Sequence, residues 1–323
     1  MQESQAIATL SELGARDRGV FRGRDAEARG VTRKQISSLV AERIVVRELP
    51  NTYRLSGVAP TRELRLRAAL LWAGDDAAAA RRSAAEWMKL EGVRAPKPEI
   101  VVPDGRRLRS DRVIVLEGGE RAALMIREER GLPITGVEAT LVRLAHVLDD
   151  EPLEIACEDA RRRRLTGVPA LHAYLDRYAR RGQRGVASMR ALLGQLDPAH
   201  PSRSTLEVKM RRLLVASGLT DFVREYPLES NDRTYHFDFA FLDRRTILET
   251  NGRRWHDDAS DYEFDNDKWS VPGRHGFKLV LATWDKVTKR PDELVAELLT
   301  TMAASGGGSS ACSVGVGTSG SDE

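Results

Sequence analysis

The sequence predicts a multidomain α+β chain, on three observations. Between Tyr235 and Asn251 apolar and polar residues alternate with the period of two that strands require, whereas the N-terminal segments repeat at helical spacing. The run Asp197-Pro198-Ala199-His200-Pro201-Ser202 reads as a linker by its prolines. The last residues, 303–323, are rich in Gly and Ser and cannot bury a core, so they are expected to be a disordered tail. These breaks give four segments: 1–57, 58–200, 201–302 and 303–323. At 323 residues the chain is long enough for two or three domains, and 41% hydrophobic content can build real cores.

The first segment has the layout of a winged helix-turn-helix. One helix is expected from Gln5 to Leu13, with Val20-Phe21 packed beneath it, and a short second one from Arg24 to Arg29. Gly30 makes the turn, and Thr32 caps a third helix that runs through Ala41. On that third helix Ile36, Leu39 and Val40 take the core face, which leaves Arg33, Lys34, Gln35 and Ser38 as candidate contacts to double-stranded DNA. Ile44 to Leu49 and Thr52 to Leu55, separated by Pro50-Asn51, supply the wing. In the mixed middle segment a helix is expected around Leu64 to Leu71. Strands Ile100-Val101-Val102 and Val113 to Leu116 lie around the Pro103-Asp104-Gly105 turn, and helices run from Leu141 to Leu148 and from Ala170 to Tyr178. The four cations Arg161 to Arg164 read as a solvated helix end.

The third segment carries the chemistry. Ser204 to Glu207 matches a capping box at the start of a helix, and the cap is the favoured role of Glu207. Tyr235, Phe237, Phe239 and Phe241 alternate with His236, Asp238 and Ala240 on one strand; Leu242 to Arg245 turns; Thr246 to Asn251 forms the next. A hairpin centred on Asp243-Arg244 sets Asp238 opposite Glu249, with Cβ atoms roughly 5 Å apart, where like charges oppose folding. Two carboxylates so placed have either raised the pKa of one of them or taken a divalent cation between them. The acidic stretch Asp257 to Asp267 lacks the glycine and terminal glutamate of a calcium loop, so only Asp265 is kept from it as a candidate.

The pattern Asp238, then Glu249-Thr250-Asn251-Gly252, then Trp255-His256 resembles the PD-(D/E)XK nuclease superfamily, and within it the small domains related to the very-short-patch mismatch-repair endonuclease (Vsr). It extends from Ser204 to Met302, taking in Asp265, Lys268-Trp269, Gly276 to Val280 and Thr283-Trp284. The resemblance implies a restriction-endonuclease-like α/β/α domain in which Asp238, Glu249 and the Thr250 carbonyl hold Mg²⁺ or Mn²⁺. His256 would act as general base or phosphate contact, and Lys268 would offset charge on the phosphate. Asn251 stands where the wider superfamily has Lys. The segment from Val20 to Leu55, with Arg82 to Trp87 beyond it, resembles AbiEi-type antitoxins, the DNA-binding autorepressors of type IV toxin–antitoxin pairs. The favoured function is therefore a metal-dependent DNA endonuclease or nickase in DNA repair or phage defence. The alternative is a non-catalytic antitoxin or transcriptional autorepressor with a cognate toxin as partner.

Composition narrows the setting. The net charge of +3, from 51 basic and 48 acidic residues, gives no nucleic-acid signature by itself, so local patches must supply it. No apolar run approaches the roughly 18 residues of a membrane span, and no basic-then-apolar start marks a secretory signal. Cys157 and Cys312 lie too far apart in sequence to suggest a disulfide framework or a zinc site, and a cytoplasmic location without membrane attachment is expected.

Overall fold

The computed structural model describes residues 2–103, 105–251 and 259–304, the last of these by backbone alone up to residue 266. The protein is mixed α+β and divides into two compact units, Met1–Pro201 and Ser202–Glu323. Among the described residues no helix is long and apolar enough to cross a membrane.

The first unit opens with α1 (Glu3–Arg16), β1 (Val20–Arg22), α2 (Gly23–Ala28), α3 (Arg33–Ala41), β2 (Val45–Leu49) and β3 (Thr52–Leu55). Thr32 caps α3 as expected, its hydroxyl accepting from the Gln35 amide while Gln35 Oε1 accepts from the Thr32 amide. Asn51 takes φ +55° in the turn between β2 and β3. The sequence did not disclose β1, which pairs with β3 to make an antiparallel sheet of order β1-β3-β2. Leu10, Phe21, Ile36, Leu39 and Val45 form the core of these elements.

The unit continues through α4 (Arg62–Ala73), β4 (Ala78–Ala79), α5 (Arg81–Trp87), β5 (Glu99–Val102), β6 (Ile114–Glu117), α6 (Arg121–Leu124), β7 (Arg127–Glu129) and β8 (Leu132–Ile134). It closes with α7 (Val137–Leu144), α8 (Asp150–Arg162), α9 (Val168–Tyr178) and α10 (Val186–Leu193). Its sheet has the order β6-β5-β4-β8-β7. The β5 and β6 strands pair in parallel, so the Pro103–Gly105 turn does not close a hairpin between them. Val20 and Leu49 pack into the same core as Leu64 and Leu66 of α4, which joins the first two expected segments in one unit. The Arg161–Arg164 run is only partly solvated. Arg161 is buried and bonds Glu158 at 2.8 Å, while Arg162 and Arg163 pair with Asp159.

The second unit runs α11 (Thr205–Ala216), β9 (Val223–Ser230), β10 (Arg233–Phe241), β11 (Thr246–Asn251), α12 (Ala259–Arg274), β12 (Lys278–Thr283), α13 (Trp284–Lys289) and α14 (Pro291–Ala303). Its sheet has the order β12-β11-β10-β9, with β11 and β12 parallel and the other pairs antiparallel. Helices cover both faces. Leu206, Met210 and Leu214 of α11, Val287 of α13 and Leu294 and Leu298 of α14 bury Phe239, Phe241, Leu248 and Val280. Val271 of α12 packs with Tyr235, Phe237, Ala240 and Ile247. The unit is thus three layers, helix, sheet and helix. One expectation is corrected: Tyr235 and Phe237 share a core with Ala240, whereas Phe239 and Phe241 share the other. The strict alternation breaks at Asp238.

Candidate metal centre

The β10–β11 hairpin turns at Leu242–Arg245, and its rungs are Phe239↔Leu248, Ala240↔Ile247 and Phe241↔Thr246. That is the register in which Asp238 and Glu249 are next across from each other. Instead of a regular rung, side chains complete the pairing there. Glu249 Oε2 accepts from the Asp238 amide at 3.1 Å, and Asp238 Oδ2 accepts from the Thr250 amide at 2.8 Å and the Thr250 hydroxyl at 2.5 Å. Both carboxylates are consequently buried and fixed in orientation.

On the other side of Asp238 the ladder is interrupted again. β9 pairs Tyr226 with Phe237 and Arg224 with Phe239, and between them Glu225 adopts φ +51°. A non-glycine residue in that region costs about 1 to 3 kcal/mol and marks a place where the surroundings impose the conformation. Glu225, Asp238 and Glu207 of α11 present carboxylate oxygens that all lie within 4.8 Å of one another. Both Glu225 oxygens are buried and accept no hydrogen bond, although Arg203 forms an ion pair with the group. Buried carboxylate oxygens so gathered are of the type that can serve a hard divalent cation as donors. The residues present therefore fit Mg²⁺ or Mn²⁺.

Glu207 combines two roles. Its amide donates to Ser204 Oγ at 3.1 Å, as the cap requires, but its carboxylate does not return to the Ser204 amide. Oε2 accepts from the Arg203 amide at 2.6 Å and Oε1 from Arg224 at 2.7 Å. Burial raises the Glu207 pKa above the ordinary value, Arg224 opposes this, and Asp238 adds to it. Glu249 lies outside the trio. Burial and then the Asp238 charge push its pKa up to about 7, against the lowering effect of Lys268. Lys268 reaches it from α12, its ammonium bonding Glu249 Oε1 and standing 5.1 Å above the Phe237 ring.

Of the residues the sequence singled out, Asp238, Glu249, Thr250 and Lys268 therefore come together, and Asn251 ends β11 opposite Thr283 of β12. His256 and the side chain of Asp265 lie outside the described residues. Glu225 was missed, and Glu207, which the sequence offered both as a cap and as the acid on the helix before the hairpin with the cap favoured, stands with Glu225 and Asp238. On α3, Lys34 is exposed, but three of the four candidate DNA contacts have partners within the chain. Arg33 pairs with Glu27 at 2.7 Å, Gln35 completes the cap of Thr32, and the Ser38 hydroxyl donates to Glu42 at 2.8 Å.

No protein-family model matches the chain, and no curated protein matches it. Among solved structures it is similar to the RV2827C protein from Mycobacterium tuberculosis, at 18% sequence identity and a TM-score of 0.44, over 71% of this chain and 89% of that one.

Proposed function

We propose that the second unit is a metal-dependent DNA endonuclease or nickase domain of the Vsr-like PD-(D/E)XK type, and that the first 57 residues are a winged helix-turn-helix that holds it on duplex DNA. The observation that carries this reading is the convergence of Glu207, Glu225 and Asp238 within 4.8 Å, with Glu249 hydrogen-bonded to the Asp238 amide beside them. A divalent cation held by the trio would polarise a phosphate oxygen and lower the pKa of the attacking water. Glu249, with its pKa near 7, is suited to take the proton from that water. Lys268 supplies positive charge at the same carboxylate, where it can offset the charge that builds on the phosphate. Asn251, in place of the superfamily lysine, favours the alternative of a non-catalytic antitoxin or regulator; an ammonium delivered from α12 answers that objection.

Supercoiled plasmid incubated with the full chain and Mg²⁺ should become nicked or linear, with EDTA suppressing the conversion. Glu249→Gln keeps the acceptor for the Asp238 amide but loses the charge and the base, so cleavage should fall by about 10²–10⁴-fold with DNA binding retained. Equal inertness of wild type and variant on supercoiled, mismatched, branched and single-stranded substrates would remove the enzyme reading in favour of the regulator.

A further inference from the structure

Among the described residues three cations stand on the acids of the proposed centre, and they are not held alike. Lys268 sits on Glu249 with its side chain 16% exposed and its ammonium 5.1 Å above the Phe237 ring. Arg224 sits on Glu207, is 13% exposed, and also donates to Ser202 Oγ at 3.0 Å. Arg203 sits on Glu225, and its side chain is 60% exposed. Packing or a second bond therefore retains the first two on their buried acids. Nothing comparable retains Arg203, because an ion pair with a solvated member contributes little, and a second cation at Glu225 would displace it.

The backbone of Arg203 is nevertheless fixed. The residue immediately precedes Ser204, the N-cap of α11, whose hydroxyl accepts from the Glu207 amide. That cap sets the first turn so that the Glu207 carboxylate folds back along the chain, where Oε2 accepts from the Arg203 amide at 2.6 Å. One acid of the trio thus anchors the Arg203 backbone while another holds its guanidinium. Neither Glu225 oxygen accepts a hydrogen bond, so among the described residues its charge is offset by Arg203. When a divalent cation takes up that carboxylate, the guanidinium loses its partner but stays tethered beside the centre. Its forked donors then match the oxygens of a phosphate.

We propose that Arg203 is a phosphate-binding residue of this centre, held in reserve on Glu225 and released to a backbone phosphate of the DNA once a divalent cation takes that carboxylate. The inference rests on the reading of the second unit as a metal-dependent nuclease. It adds a coupling to that reading: cation and DNA each favour the binding of the other through one side chain.

The test compares the full chain with Arg203→Ala and Arg203→Lys in three measurements. These are thermal melting with and without Mn²⁺, a calorimetric Mn²⁺ titration, and the anisotropy of a labelled DNA duplex with and without Ca²⁺, a cation that takes the same oxygen ligands. Without metal Arg203→Ala should melt lower than wild type, since Glu225 has lost its counter-ion, and saturating Mn²⁺ should remove the deficit. Its affinity for Mn²⁺ should accordingly rise about twofold to fivefold, the worth of an ion pair with a solvated member. Ca²⁺ should strengthen duplex binding about tenfold more in wild type than in Arg203→Ala, the worth of one hydrogen bond to a charged group, with Arg203→Lys between the two. An Arg203→Ala chain that binds Mn²⁺ no tighter than wild type, or whose melting deficit persists at saturating Mn²⁺, overturns the proposal and leaves Arg203 as a structural ion pair. So does an equal gain from Ca²⁺ in both chains. A wild type that binds no Mn²⁺ is a distinct failure, because it removes the metal centre itself and the proposal with it.

Discussion

Asp238→Asn is expected to abolish the rise in melting temperature that Mg²⁺ or Mn²⁺ gives the second unit. A ligand held by the native state alone stabilises it by about 2.7 kcal/mol at a hundred times its dissociation constant, which is a shift of about 5 °C or more for a unit of this size. Asp238 is the acid common to both halves of the centre, since it clusters with Glu207 and Glu225 and also bonds Thr250. Asparagine retains an oxygen that can accept from the Thr250 amide and hydroxyl, so the hairpin should survive without metal. What it loses is the charge. Thermal melting of both chains with and without millimolar metal measures the difference; a metal response that persists in Asp238→Asn would separate Asp238 from the cation.

The second large effect is one of pH. The folded-state pKa of Glu249, pushed up to about 7 by burial and by Asp238, lies above its ordinary value of 4.5. The folded chain therefore retains a proton that the unfolded chain releases. Stability from this group is fully present below pH 4.5 and is lost as pH rises through about 7, a loss of about 3 kcal/mol at one pKa unit per 1.36 kcal/mol. Glu249→Gln mimics the protonated acid and should not show it. Denaturant unfolding of the two chains across this interval, without metal, should diverge as pH rises, wild type becoming the weaker. Mg²⁺ at Asp238 should flatten the divergence, because it neutralises the second cause of the shift. Parallel pH profiles would mean that Glu249 is ionised throughout.

Much of this centre was legible because the hairpin is local. A strand with four aromatics at period two, a four-residue turn and a second strand determine their own register, and the structure pairs Phe239 with Leu248 as that register requires. The N-cap of Thr32 and that of Ser204 were legible for the same reason: each is a contact over three residues. Glu225 was hidden because its strand offers no clean alternation. Val223 is exposed, Pro227 interrupts the donors, and Glu225 itself is out of strand geometry. Its role depends on pairing across to β10, a relation that no spacing along the chain reveals. Glu207 was ambiguous between cap and site acid, because the cap accounts for its amide and leaves its carboxylate undetermined. Of the helix α8 only the end at Arg161 to Arg164 was read, because its apolar stripe Leu153, Ala156, Cys157 and Ala160 is short of large residues and is interleaved with the buried charges Glu154, Glu158, Asp159 and Arg161. The parallel pairing of β5 and β6 is likewise set by packing and not by the turn between them.

The most direct test of the centre is a Mn²⁺ titration of the full chain, followed by calorimetry or by the loss of the free-ion resonance signal, in parallel with the double variant Glu207→Gln/Glu225→Gln. These two residues are chosen because neither lies in the Asp238–Glu249 hairpin that the sequence disclosed. Wild type should bind the cation with about micromolar to millimolar affinity, the range of carboxylate sites of modest rigidity, and the double variant should lose that binding while its second unit still melts cooperatively. A flat wild-type titration, or a folded double variant that binds Mn²⁺ as wild type does, would contradict the assignment of Glu207, Glu225 and Asp238 as a metal centre.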